Sequence, residues 1–233
     1  MAAETFTLDE LAAHLGRDRR ELERMVSRGR MPGRKVGGHW TFHSADIAAW
    51  LEDEMRTYSE GELAVVERAQ HSAEVSAATP VSSLLPIEHI SVPLEARTKR
   101  SVLEQLVEAA GRTWKIWEPA TVLKLVQERE ELCSTAFDVG VAIPHVRQPL
   151  PDVLEDSVLA FGRTFAGIPF GAANNSSTDL FFLVVCRDIR THLQILARLG
   201  RMIQRPRFLA DLRETPDAAS AHEVITAADL AIE

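Results

Sequence analysis

The apolar segment "DLFFLVVC", residues 179–186, constrains the fold of this chain more than any other stretch. It is apolar without alternation, which is typical of a central strand covered on both faces. A second strand-like segment, "DSVLAFGRTF", precedes it. Helical patterns surround the two: "TKRSVLEQLVEAAG", "EPATVLKLVQEREEL" and "RDIRTHLQILARLGRMIQ". Helices interleaved with strands predict an α/β domain with helices on both faces of a mixed sheet.

Composition limits the classes of protein to which the chain can belong. No run of about 18 apolar residues occurs, so no membrane span is expected. The start, "MAAETFTLDE", lacks the basic and apolar regions of a signal peptide. The two cysteines, Cys133 and Cys186, show no metal-type spacing. We therefore expect a cytoplasmic protein with reduced thiols.

The net charge of −8 hides an asymmetry along the chain. Residues 17–35 hold eight basic and three acidic side chains, a local balance of +5. From residue 57 onward there are 17 basic and 24 acidic side chains, a balance of −7. Such polarity suggests two domains with different partners.

The N-terminal third predicts two short helices, a hairpin and a third helix. "TLDELAAHLG" has a capping-box spacing and a glycine stop, and "RDRRELERMVSRG" repeats the form. In the second helix Leu22 and Val26 should face inward, with arginines on the outer face. A two-glycine hairpin turn follows, and Ser44 is expected to cap the third helix. Alternatively, the arginines form a solvated face half neutralised by Glu21 and Glu23.

The connector begins with another capping-box spacing, Ser59 and Glu62. It predicts a helix that ends near Val75, followed by the small-residue linker "SAATPVSS". The helix is interpreted as a spacer, or alternatively as a dimerising element.

The segment "GVAIPHVR" places a histidine at the end of an apolar strand. Val139, Val141 and Ile143 alternate with small residues, and the strand should end at Pro144. His145 is then expected at the rim of the sheet, rigidly held and accessible to partners. A lone histidine there is otherwise an incidental surface residue.

A second histidine is a candidate for the same site. His192 lies in the first turns of a predicted helix, where the helix dipole favours an anion. The alternative interpretation of His192 is a partly buried helix residue on the same helix face as Leu196 and Leu199. Ser134 and Thr135 offer hydroxyl hydrogen bonds or ordinary turn capping.

The N-terminal pattern resembles the excisionase and MerR-type winged DNA-binding modules. The resemblance covers about residues 5–54 and depends mainly on "GRMPGRKVGGHWTFHSADIAAWL". It implies that helix 18–28 enters the major groove and that the wing contacts the DNA backbone. The expected DNA-binding residues are Arg20, Arg24, Arg34 and Lys35. Thr41 stands where the family usually carries a basic residue, so we expect either weak binding or binding as a dimer.

The C-terminal order of motifs is similar to the IIA domain of the phosphotransferase system, of the mannitol/fructose and nitrogen-regulatory type. The blocks are "REELCSTAFDVGVAIPHVR", "GIPFGA", "DLFFLVV" and "THLQILARLGRM". The resemblance implies an α/β sandwich with a mixed sheet. It also implies that His145 accepts a phosphoryl group from the histidine phosphocarrier protein and can pass it to a IIB protein, with His192 near it. Arg129, sixteen residues before His145, matches the arginine that the family carries near this histidine. The alternative for Arg129 is a surface salt bridge in "QEREE".

The expected domains are 1–56 (winged helix-turn-helix), 57–83 (helical connector and linker) and 84–233 (IIA-like). Two segments depart from the family pattern: "AFDV" at 136–139 and "NNSS" at 174–177. Asp138 is expected to bring a negative charge near the phosphate site. A metal site from His145, His192 and Cys133 has suitable ligand types but no supporting spacing. No cofactor is indicated.

Three functional hypotheses follow. The first is a cytoplasmic regulatory phosphocarrier with a phosphohistidine intermediate and a DNA-binding head that regulates transcription. The second is a phosphotransfer component that feeds a IIB partner for sugar transport. The third is a binding protein that has lost phosphorylation through the "AFDV" change.

Overall fold

The computed structural model of the protein describes residues 5–70 and 79–232. The chain divides into two units by its contacts. The first takes in the N-terminal residues up to Thr79 together with Leu193–Arg201, and the second takes in Pro80–His192 and the residues from Met202 onward. In the described residues, no helix combines the length and apolarity that a membrane crossing requires.

The first unit is a helix-turn-helix with a small sheet. Its elements are β1 (Thr5–Thr7), α1 (Leu8–Leu15), α2 (Arg19–Ser27), β2 (Arg34–Val36), β3 (His39–His43), α3 (Ser44–Met55) and α4 (Glu60–Ala69). The capping box of Thr7 and Glu10 is confirmed, as is the left-handed Gly16 that ends α1. The expectation for Ser44 was wrong: His43 is the N-cap, without a side-chain bond, and Ser44 is the first residue of α3.

The predicted hairpin forms the wing of this unit. Val36 pairs with His39 across a two-residue turn, and Gly37 and Gly38 both have positive φ, 58° and 87°. Two consecutive residues with positive φ are what such a turn requires, and glycine adopts that backbone without strain. β1 joins β3 as a third strand, in the order β1-β3-β2, which the sequence did not predict.

Helix α4, the predicted connector helix, packs within the first unit. Its capping box is confirmed, and Leu63 and Val66 are buried. The Gln70 side chain donates to the His14 carbonyl oxygen. The buried Glu67 carboxylate accepts hydrogen bonds from Arg198 and Arg201. The helix end expected near Val75 lies outside the described residues.

From Val81 onward the chain alternates helices and strands. The elements are α5 (Val81–Leu84), β4 (Ile90–Ser91), α6 (Lys99–Ala110), α7 (Pro119–Leu132), β5 (Ala136–Phe137), β6 (Val141–Ala142), β7 (Val158–Pro169), β8 (Ser177–Val185), α8 (Ile189–Gln204), α9 (Phe208–Glu214) and α10 (Ala218–Leu230). Residues 81–83, predicted as the end of the linker, are therefore helical. Ser82 is held there by bonds from its N–H and hydroxyl to Asp229.

The second unit is built on a mixed sheet, as predicted. Within the described residues the sheet has five strands in the order β4-β7-β8-β6-β5. The apolar strand β8 lies at its centre, antiparallel to β7 and parallel to β6. Every residue from Leu180 to Val185 is fully buried, because both faces of a central strand are covered.

The histidine strand is shorter than its alternation predicted. Only Val141 and Ala142 form β6, which pairs with β5 as a hairpin. Val139 was expected to continue the strand but lies in the turn and is 51% exposed. Gly140 has a φ of 83° there, so the backbone reverses direction where the pattern predicted continued strand.

Candidate phosphoryl-acceptor site

The backbone around Pro144 and His145 stays attached to the central strand although β6 has ended. The Pro144 carbonyl oxygen accepts a hydrogen bond from the Val184 N–H at 2.9 Å. His145 forms an isolated parallel bridge with Val184. Proline cannot donate to a ladder, but its carbonyl can still accept. The central strand therefore fixes the backbone that carries His145, as the sequence suggested.

The His145 ring has a defined orientation. Its Nδ1 lies 2.7 Å from the Ile143 carbonyl oxygen. A carbonyl oxygen only accepts, so in the neutral imidazole Nδ1 carries the proton and Nε2 carries the lone pair. The side chain is 5% exposed. The expectation of an open position at the rim was wrong: the ring is buried as well as held.

His192 meets His145 ring to ring. The ring centroids are 5.4 Å apart and the planes make an angle of 60°, an edge-on arrangement. His192 lies in the first turn of α8, which the Asp188 side chain caps by accepting from the Thr191 N–H at 2.9 Å. Only 1% of His192 is exposed. The structure thus brings together the two histidines that the sequence separates by 47 positions.

Arg129 is a buried residue in the last turn of α7, not a surface salt-bridge residue. It is 8% exposed, and its Nη1 donates to the Cys133 carbonyl oxygen at 3.0 Å. It lines a cavity of about 320 Å³ with Val146 and Arg147, the two residues that follow His145. This places Arg129 beside the histidine segment.

Sequence reasoning missed a buried carboxylate at the same helix end. Glu130 is 3% exposed and accepts hydrogen bonds from the Thr135 N–H and hydroxyl. Lys99 Nζ lies 2.8 Å from its Oε1. A signal was present: Val122, Val126 and Glu130 repeat every four residues, and all three are buried on α7. A carboxylate in an apolar stripe indicates a paired, buried charge.

The two segments that depart from the family pattern contact each other. The Asp138 carboxylate accepts a hydrogen bond from the Asn174 N–H at 3.1 Å. The Asp138 carbonyl oxygen accepts from the Asn174 side chain and from the Ser176 hydroxyl. Asp138 therefore has a structural role in joining "AFDV" to "NNSS".

The cysteines differ in environment. Cys133 is exposed and Cys186 is buried, and both are free thiols. Burial raises the pKa of the Cys186 thiol, so this group stays protonated at neutral pH and is a poor nucleophile.

The arginines of the first unit fall into two sets. Arg20, Arg24 and Arg28 line one open surface of α2 with Asp18 and Glu23, opposite the buried Leu22 and Val26. Arg17 and Arg19 instead have structural partners. Arg17 donates to Tyr58 and Glu21, while Arg19 pairs with Asp9 and Glu23. In the wing, Arg34 and Lys35 are exposed, with Lys35 Nζ 5.0 Å from the Trp40 ring centroid.

Together, fold and site define a class: a helix-turn-helix unit joined to an α/β domain that holds an oriented imidazole at His145. Residues 5–55 match a helix-turn-helix domain model, and residues 83–228 match the family described as phosphoenolpyruvate-dependent sugar phosphotransferase system, EIIA 2. The chain belongs to this EIIA family, whose members are of the phosphocarrier type.

Curated relatives and solved structures agree with this membership. A fructose-specific EIIA component of the phosphotransferase system from Haloferax volcanii is 27% identical over 63% of this chain and 95% of its own length. A nitrogen regulatory protein from Bradyrhizobium diazoefficiens is 30% identical over 63% and 94%. The crystal structure of nitrogen regulatory protein IIA-Ntr from Neisseria meningitidis superposes with a TM-score of 0.57 at 25% identity, over 63% of this chain and 99% of that one.

Proposed function

We propose that this protein is a regulatory phosphocarrier. His145 accepts a phosphoryl group from the histidine phosphocarrier protein, and the helix-turn-helix unit binds DNA. The observation that carries the first part is the bond from His145 Nδ1 to the Ile143 carbonyl oxygen. It directs the Nε2 lone pair, the nucleophile that phosphoryl transfer requires, away from the backbone that holds the ring.

The transfer exchanges one nitrogen–phosphorus bond for another. Nε2 of His145 attacks the phosphorus as the bond to the donor imidazole breaks, and the electron pair returns to the donor ring. Such transfers depend on alignment and on stabilising charge at the phosphoryl oxygens. The first turn of α8 at His192 and the Arg129 guanidinium supply positive potential for this role.

The phosphorylation test uses the full chain with phosphoenolpyruvate, enzyme I and the histidine phosphocarrier protein, read by intact mass. We expect an acid-labile gain of one phosphoryl group, absent in His145→Ala. His192→Gln should still be labelled, at a rate lower by about 10- to 100-fold because positioning is impaired. Undiminished labelling of His145→Ala would exclude His145 as the acceptor.

DNA binding is supported by the distribution of arginines in the first unit. Arg20 and Arg24 line the open surface of α2, and Arg34 and Lys35 are exposed on the wing. Arginine and lysine contacts to phosphates supply most sequence-independent affinity for DNA. The alternative, a solvated face half neutralised by Glu21 and Glu23, describes Arg17 and Arg19, which pair with those two carboxylates.

The DNA test is a salt titration of the full chain on a duplex. Replacing Arg20 and Arg24 with alanine should weaken binding and lower the slope of log affinity against log salt by about 2, roughly one unit per lost phosphate contact. Arg19→Ala is the matched control, since Asp9 and Glu23 already pair with Arg19. If no duplex is retained at low salt, the unit is a protein-docking head instead.

A second candidate function is phosphoryl transfer to a IIB partner for sugar uptake. The fructose-specific relative favours it. A third, a IIA-like binding protein that is not phosphorylated, would require the "AFDV" change to disable the site. Mixing the phosphorylated chain with a IIB protein separates the first two, because only a transport component passes the label on. Absence of any label supports the third.

A further inference from the structure

The buried carboxylate of Glu130 is linked to His145 through a short series of hydrogen bonds. We propose that Glu130 is a positioning residue that sets the orientation and tautomer of the His145 ring. This inference rests on the proposed role of His145 as the phosphoryl acceptor.

The first step is the fixed position of Glu130 itself. Its carboxylate is almost fully buried, and burial of a charge is costly unless it is paired and hydrogen-bonded. Lys99 supplies the pairing at 2.8 Å, and Thr135 supplies two donors, its N–H at 3.1 Å and its hydroxyl. A shift of Thr135 would remove both of these donors from the buried Glu130 carboxylate. Thr135 is therefore held strongly in place.

The second step passes from Thr135 to the histidine strand. The Thr135 carbonyl oxygen accepts the Ile143 N–H at 3.2 Å. This bond continues the antiparallel pairing of β5 with β6, in which Ala136 faces Ala142. Thr135 therefore determines the plane of the peptide that precedes Ile143 and restrains the backbone at Ile143.

The third step reaches the ring. The Ile143 carbonyl oxygen is the acceptor for His145 Nδ1 at 2.7 Å. If Thr135 moves, the restraint on the Ile143 N–H is lost, and the bond from Val184 to the Pro144 carbonyl is left to fix the direction of the Ile143 carbonyl. The imidazole is then restricted less strictly to the tautomer with its proton on Nδ1. Nε2 would then carry the proton in part of the molecules, and protonated Nε2 cannot attack phosphorus.

Arg129, the residue before Glu130, holds the same loop, residues 133–135. It bonds the Cys133 carbonyl oxygen, while Glu130 bonds the Thr135 N–H. Two adjacent residues of the last turn of α7 thus hold the loop at two points. For this reason the test keeps Arg129 unchanged and varies only Glu130 and Thr135.

The experiment compares the full-length Glu130→Gln, Thr135→Val and Thr135→Ser proteins with Glu131→Gln, a control that changes an exposed neighbour. Nitrogen-15 spectra of the histidine rings report the His145 tautomer. The rate of labelling by the phosphorylated carrier reports function. We expect Glu130→Gln and Thr135→Val to show a mixed tautomer and a maximal rate lower by about 10- to 100-fold, with little change in the half-saturating carrier concentration.

Thr135→Ser keeps the hydroxyl and should restore both readouts to those of the unchanged protein. Folding is checked by comparing the amide spectra of the variants, and Thr135→Val alone carries the test if Glu130→Gln does not fold. If the tautomer and rate in both variants match those of the Glu131→Gln control, the proposal is wrong. If the unchanged protein takes no label, the proposed function fails, while the tautomer comparison still decides the positioning role.

Discussion

At the scale of single residues, the site depends on which atom of each side chain is hydrogen-bonded to the backbone. The Ile143 carbonyl oxygen orients His145, and the edge-on ring of His192 lies against it. Both side chains are buried, so their orientation is set by packing as well as by hydrogen bonds. The sequence indicated that histidines form the candidate site. Which ring atom makes which contact follows from the packing of segments that are far apart in the chain.

His89 provides a pH-dependence prediction at this scale. Its Nδ1 meets the Leu159 carbonyl oxygen and its Nε2 meets the Thr113 hydroxyl, each at 2.8 Å. Burial lowers the pKa of this imidazole below its ordinary value of 6.5, and nearby Lys115 acts in the same direction. The folded state therefore favours neutral His89. Its contribution to stability is complete above about pH 6.5 and is lost as the pH falls below that value.

The measurement is the free energy of unfolding of the second unit by denaturant from pH 7.5 down to pH 5. His89→Asn should make the free energy of unfolding decrease less steeply as the pH is lowered. The difference in slope is up to about 1.4 kcal/mol per pH unit, the value for one proton. His222→Asn, a change in α10, is the control. An unchanged slope in His89→Asn would contradict the prediction.

At the scale of elements, helix ends determine where side chains point. Asp18 caps α2 by accepting from the Arg20 and Glu21 N–H groups, which starts the helix so that the arginines share its open surface. Asp188 likewise caps α8 and places His192 in the first turn. In both units a cap that is readable in the sequence sets the position of the candidate site residues.

Replacing Asp18 separates its capping role from its charge. Asp18→Ala should lower the stability of α2 by about 1 kcal/mol, because the side-chain cap is lost. Asp18→Ser retains a capping oxygen and removes a negative charge from the surface lined by Arg20 and Arg24. It should preserve the helix and bind duplex DNA more tightly at low salt.

Amide hydrogen exchange in α2 and a DNA titration are the two measurements. Asp53→Ala, which removes an exposed carboxylate from α3, is the control for charge alone. If Asp18→Ser weakens DNA binding while α2 remains protected, the surface of α2 does not contact DNA.

At the scale of the whole molecule, one chain carries a basic segment and a long acidic remainder. The basic segment 17–35 has a balance of +5, and the residues from 57 onward have a balance of −7. Phosphorylation adds about −1.5 to −2 charges at one point. A covalent connection keeps the local concentration of each unit high for the other.

We therefore predict that phosphorylation of His145 weakens DNA binding, because a phosphohistidine competes with DNA for the same arginines. One duplex is titrated, at matched salt, with the unmodified and the phosphorylated protein. His145→Ala taken through the same phosphorylation mixture is the control. Equal affinities would show that the two units act independently, and tighter binding would reverse the sign of the coupling.

Much of the architecture was predictable because it depends on local patterns. The capping boxes at Thr7 and Ser59, the two-glycine turn and the long capped helix α8 all formed where expected. Periodicity failed at the histidine strand. There a valine at 139 continued the alternation in sequence, but residues 138–140 form the turn of the β5–β6 hairpin, with Gly140 at positive φ.

The sequence by itself determined the two-part organisation, the mixed α/β class and the identity of the histidine segment, since these depend on composition, periodicity and a specific motif. Only the tertiary structure decided that His145 is buried, that His192 lies against it, and that Asp138 joins the "NNSS" turn. It also decided that Glu130, one acid among several in "QEREE", is the one enclosed by the fold. These features arise where segments far apart in the chain pack together, and no local pattern specifies that packing.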